Sequence, residues 1–131
     1  MFEVTARLKI RPGELDGFKQ QAAELLRQAK EKDTKTLRYD WFISDDGTEC
    51  EVRESYVDAD ALIEHSQHIA EARNAIFRDF AYDHTVQFYA EPSPALAEAL
   101  MAMPPGAVTL KRFSLFQSLN ADLQVLEEIP A

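Results

Sequence analysis

The chain has 131 residues, 46% of them hydrophobic, which suits one compact domain with a sizeable core and excludes wholesale disorder. Its formal net charge is −9 and no Lys/Arg cluster offsets it, which argues against non-specific nucleic-acid binding. No apolar run reaches membrane-spanning length, and the start "MFEVTARLKI" lacks the basic and apolar regions of a signal peptide. Cys50 is the only cysteine, so it has no disulfide partner in the chain and supports no cysteine-based zinc site. A cytoplasmic protein with no membrane partner is expected.

In chain order, "FEVTARLKI" places Phe2, Val4, Ala6, Leu8 and Ile10 at a period of two, the pattern of a half-buried strand. Pro12-Gly13 ends it. Leu15, Phe18, Ala22, Leu25 and Ala29 then form one apolar stripe on a helix ending near Lys32. "TLRYDWFI" reads as a second strand with Leu37, Tyr39, Trp41 and Ile43 on one face. "SDDG" makes a tight turn, and "TECEVRESY" returns as the third strand of an antiparallel hairpin. Its apolar register holds Cys50, Val52, Glu54 and Tyr56.

Asp58 is the expected N-cap of the next helix, whose stripe reads Ala61, Leu62, His65, Ile69, Ala72, Ile76 and Phe80. A break near Ser66-Gln67 would keep that helix to ordinary length. "YDHTVQFYAE" is a fourth strand with Tyr82, His84, Val86, Phe88 and Ala90 on one face. Ser93-Pro94 starts a short helix that ends before "MPPG". "AVTLKRFSLFQ" is a fifth strand, apolar on both faces and so expected to be covered on both.

The order β-α-β-β-α-β predicts an α+β, ferredoxin-like split-βαβ core with an antiparallel sheet, followed by an extra helix and strand. One domain is expected over residues 1–117, with its core at 1–91 and the additions at 92–117. Residues 118–131 form a C-terminal tail able to embrace a partner. With helices on one sheet face only, the other presents Glu3, Thr5, Arg7 and Lys9 beside Phe42, Tyr89, Phe113 and Leu115. So aromatic a face predicts a homodimer built sheet face to sheet face.

Two ionisable residues stand in apolar registers. His65 lies on the helix face that looks at the sheet, where a neutral imidazole can move a proton near neutral pH. Glu54 lies in the buried register of the third strand and could orient that imidazole as an acid–base dyad. The same positions suit a hydrogen-bonded core histidine and a carboxylate receiving backbone amides at the next helix start; the residues leave both readings open. Tyr39, Trp41 and Tyr56 share the register and could wall a pocket for a flat aromatic ring, with His84 joining them. They could equally be plain core. His65 and His68 have i, i+3 spacing, but no third ligand is evident and no metal is expected.

Leu37-x-Tyr39, followed by Glu54-x-Tyr56-x-Asp58-x-x-Ala61-x-x-x-His65, resembles the antibiotic biosynthesis monooxygenase domain, a dimeric α+β-barrel family that includes quinol monooxygenases. The resemblance covers roughly residues 1 to 91. It implies the ferredoxin-like dimeric fold and a pocket-lining His65. It offers cofactor-independent oxygenation of a small quinol or phenol, with O₂ as co-substrate, as the activity. Isomerisation or lysis of a small hydroxyketone, and non-enzymatic binding of a small aromatic, are the alternatives. Haem breakdown is disfavoured: "VTARLKI" has no Asn, and no Trp lies between Glu54 and His65.

Overall fold

The alternation of the first strand, β1 (Phe2–Ile10), is realised in full: Phe2, Val4, Ala6, Leu8 and Ile10 are buried. Burying one face of every strand is what drives the rest of the fold. In the computed structural model, which describes residues 1–119, β1 is followed by α1 (Leu15–Lys32), β2 (Thr36–Ile43) and β3 (Glu49–Tyr56). Next come α2 (Ala59–Asp79), β4 (Ala81–Phe88), α3 (Pro94–Met101) and β5 (Thr109–Arg112). The sheet order is β2-β3-β1-β4-β5. β1 pairs antiparallel with both β3 and β4, while β5 joins β4 in parallel because α3 carries the chain back. This is the ferredoxin-like α+β arrangement.

Helix α1 buries the predicted stripe Phe18, Ala22, Leu25 and Ala29. Gly17 permits close packing, since a Cβ there would meet the Phe80 ring at 2.4 Å. The hairpin turn uses Gly47 at φ 73°, a conformation that costs glycine little, with Asp46 accepting hydrogen bonds from Ser44 and Thr48. Asp58 caps α2 by accepting from the Ala61 amide at 2.9 Å, as its position predicted.

Four expectations are corrected. α2 runs unbroken through Ser66-Gln67, its length supported by burial of Ala61, His65, Ile69, Ala72 and Ile76 along one face. In β2 the register shifts between Thr36 and Arg38, which turns Leu37 out to 59% exposure while Tyr39, Trp41 and Ile43 keep their face. In β4 the register shifts again opposite Arg7 to Lys9, with Asp83 at φ 60°. That bulge sends Tyr82 outward, under the Arg11 guanidinium, and turns Ala81 inward to full burial. Finally, β5 is only Thr109–Arg112 and exposed, not a strand covered on both faces. Among the described residues it is an edge strand, with β4 beside it. The expected role of the tail lies outside the described residues from 120 onward.

Candidate functional site

The buried core divides into two clusters. One joins α1, the C-terminal half of α2 and the C-terminal half of β1; the other joins Phe2, Val4, Tyr56, Ala61, Phe88 and Leu96. Along the boundary between them, beneath α2 and α3, lies a cavity of about 400 Å³, large enough for an aromatic molecule. Its wall is mostly apolar: Val4, Ala6 and Leu8 from β1, Ile69 and Ile76 from α2, Leu96 and Leu100 from α3. Into it also open Tyr39, Trp41, Glu54, His65, His84, Ser66 and Arg73.

His65 sits in the N-terminal third of α2 and is 2% exposed. Its Nδ1 lies 2.6 Å from Asp33 Oδ2, in the connection after α1. Asp33 is itself sunk in protein, and burial alone would raise its pKa. Hydrogen bonds from His65, His68 and Thr36 outweigh that and hold it below the usual carboxylate range. An ionised carboxylate only accepts, so Nδ1 carries the proton and Nε2 keeps its lone pair. Nε2 is buried and has no hydrogen-bond partner among the described residues. Burial, more than the counteracting Asp33, keeps the imidazole pKa below its ordinary value. The ring is therefore neutral at neutral pH and able to accept a proton.

Tyr39 meets the His65 ring edge-on at 4.4 Å between centroids and the Trp41 ring at 5.8 Å. Burial, then the nearby Glu54 charge, push the Tyr39 phenol well up, so it stays protonated. Trp41 Nε1 is a second buried polar atom with no partner among the described residues. His84 stacks on Phe77 at 4.5 Å, and burial, then the charge of Arg73, lower its pKa to about 4.

Glu54 lines the cavity and accepts a hydrogen bond from the Tyr56 hydroxyl, not from His65. Burial pushes its pKa up to about 7, against the lowering effect of that bond. The expected Glu54–His65 dyad is thus replaced by an Asp33–His65 pair. Tyr56 has no exposed surface and stands behind Glu54 rather than on the cavity wall.

His68 is not on the wall either: its Nδ1 meets Asp33 Oδ1 at 2.7 Å. With Glu64 it brings three ligand-type atoms, from Asp33, Glu64 and His68, within 4.8 Å. The Asp33 oxygens there are already shared among His65, His68 and Thr36.

Sequence reasoning missed Asp33 and Arg73. Arg73 had a signal, because His65, Ile69 and Arg73 are spaced four apart and fall on neighbouring positions of the same helix face. Asp33 had none, since its partner is 32 residues away.

The family pattern described as antibiotic biosynthesis monooxygenase matches residues 1–80. No curated protein matches the sequence. Among solved structures, MupZ from Pseudomonas fluorescens is similar at 24% identity and TM-score 0.68, covering 90% of this chain and 93% of its own. A protein described as an antibiotic biosynthesis monooxygenase aligns at 23% identity and TM-score 0.62, over 71% of this chain and 100% of its own. Rv0793 from Mycobacterium tuberculosis aligns at 24% identity and TM-score 0.59, over 72% of this chain and 97% of its own. At these identities the likeness speaks for the fold, and the wider MupZ match takes in more of this chain than the other two. From the family match over residues 1–80, the chain belongs to the antibiotic biosynthesis monooxygenase family.

Proposed function

We propose that this chain is a cofactor-independent monooxygenase acting on a small quinol or phenol, with O₂ as co-substrate. The supporting observation is His65: Nδ1 is held by Asp33, while Nε2 is buried and unpartnered beside an apolar cavity. A buried lone pair without a donor is costly, and a ligand hydroxyl would satisfy it. His65 accepts the phenolic proton as general base. The resulting anion is electron-rich enough to reduce O₂ directly. A ring C–O bond forms and the O–O bond breaks. One oxygen atom stays as the new quinone carbonyl, and the other leaves as water with the two hydrogens of the phenol. Asp33 is a positioning residue that fixes the tautomer and steadies the imidazolium. Tyr39 and Trp41 hold the ring and exclude water.

The test is oxygen uptake with a panel of quinols and naphthols. Uptake in step with quinone formation, lost in a folded His65→Ala variant, is expected. Turnover of a hydroxyketone without oxygen would point to an isomerase, and ligand-induced thermal stabilisation without any product to a binding protein. Either outcome overturns the oxygenase reading.

A further inference from the structure

Arg73 departs from the other arginines. Arg7, Arg27, Arg38, Arg53, Arg78 and Arg112 all lie within ion-pair distance of a carboxylate at the surface. Arg11 is spread over the Tyr82 ring and reaches the Phe77 carbonyl. Arg73 lines the cavity, and among the described residues no carboxylate lies within ion-pair distance of it. Among the described residues its side chain donates from Nη1 to the Ser66 hydroxyl at 2.8 Å. Ser66 is the chain neighbour of His65, so this bond ties the guanidinium to the turn of α2 that carries the imidazole.

The electrostatics agree with that placement. The charge of Arg73 lowers the pKa of both His65 and His84, and it opposes the rise at Tyr39. Among the described residues Glu54 is the one carboxylate on the cavity wall, and it accepts a hydrogen bond from Tyr56. A guanidinium partly stripped of water and facing apolar walls has lost hydration that a neutral serine does not replace. Arg73 is therefore a cavity-lining cation without an ion-pair partner among the described residues, and an acceptor of negative charge would supply one.

We propose that Arg73 is an oxyanion-binding residue, and that the cavity selects aryl alcohols in their ionised form, the aryl oxygen sitting between His65 Nε2 and the Arg73 guanidinium. This rests on the reading of the cavity as a phenol site and names what that site prefers: His65 removes the proton and Arg73 keeps the charge it leaves behind. A ligand of the same shape without an ionisable hydroxyl forgoes this interaction, because catalysis and selection both draw on charge stabilisation in a water-poor site.

The experiment uses the full chain and 4-nitrophenol, whose ionised form absorbs visibly, with nitrobenzene as the neutral counterpart and benzoate as a carboxylate. Bound 4-nitrophenol should ionise at least about one pH unit below the free compound, equivalent to roughly tenfold preference for the anion. Arg73→Met should abolish that shift and leave nitrobenzene affinity unchanged, while Arg73→Lys restores part of it. Should Arg73→Met fail to fold, the wild-type titration and Arg73→Lys still decide. Ionisation at the same pH bound and free, or a shift that survives Arg73→Met, overturns the proposal. Tight benzoate binding without a nitrophenol shift also overturns it, by placing a carboxylate on Arg73. Oxygen uptake is read separately, with the quinol and naphthol panel. A shift without any oxygenation retains the anion site and removes the oxygenase. Oxygenation of the quinols with no nitrophenol shift does the reverse, and exclusion of both nitro compounds overturns the anion site.

Discussion

Asp33 turns His65 from a core histidine into a directed one. A carboxylate at Nδ1 dictates the tautomer, and the helix dictates that the other nitrogen faces the cavity. Replacing Asp33 by Asn would let the amide pair with the opposite tautomer and put a proton on Nε2. Turnover in Asp33→Asn should fall by at least about a hundredfold with little change in substrate affinity. Steady-state kinetics with separate kcat and KM check this, and nitrogen chemical shifts of His65 report the tautomer.

Glu54 carries a stability signature of its own. Its folded pKa is raised, so its contribution is fully present below 4.5 and is lost as pH rises through about 7. Carrying a buried group from 4.5 to about 7 corresponds to on the order of 3 kcal/mol at alkaline pH. Glu54→Gln, a mimic of the protonated acid, keeps an acceptor for Tyr56. Its Tm relative to wild type should climb across that window; a constant difference would refute the burial argument. His84 has the opposite sign: depressed from 6.5 to about 4, it loses stability as pH falls through that interval. His84→Phe, which keeps an aromatic ring against Phe77, should flatten the acid limb of the same curve.

Among the elements, α3 closes the cavity. Ser93 caps it, Pro94 starts it, and Leu96 is 3% exposed against Phe2, Val4 and Phe88. The helix has only eight residues, too few to persist without tertiary packing, so Leu96 holds it in place. Leu96→Ala should cost about 2–4 kcal/mol in denaturant unfolding and weaken ligand binding, because Leu100 on the same wall would loosen with it. Unchanged ligand affinity in a destabilised variant would show that α3 is packing only.

For the whole molecule, the sheet face away from the helices is divided. Its middle is a charged lattice, with Arg7 and Arg53 on Glu51 and Lys9 on Asp83. Its margins are aromatic: Phe42 lies beneath the Arg53 guanidinium, and Tyr89 stacks on Phe113 at 6.2 Å. Phe42, Phe113 and Leu115 are about half exposed or more, at 48%, 50% and 52%. We propose that a second copy covers this face as a homodimer, since exposed aromatic margins around a polar centre suit an isologous contact. Light scattering should give a dimer mass, and Phe42→Glu with Phe113→Glu should shift it toward monomer. A monomeric wild type would overturn the dimer.

Most of the fold was legible because each element announces itself locally. Period-two runs gave the strands, the three-to-four spacing of Phe18 to Ala29 and of Ala61 to Ile76 gave the helices, and Asp58 marked a cap. The misplacements of Leu37 and Tyr82 come from bulges. A bulge inverts the alternation across it, so Leu37 and Tyr82 fall out of step with the residues that follow them. Within the site, the sequence determined that His65, Tyr39, Trp41, Glu54 and His84 would share the inner side of the sheet, since register alone decides that. Only the tertiary structure decided what each one touches. The loop after α1 had to bring Asp33 to His65 from 32 residues away, and Tyr56 had to claim Glu54 first. Hydrogen bonds form between atoms that folding brings together, and their partners cannot be read from the spacing of either residue alone.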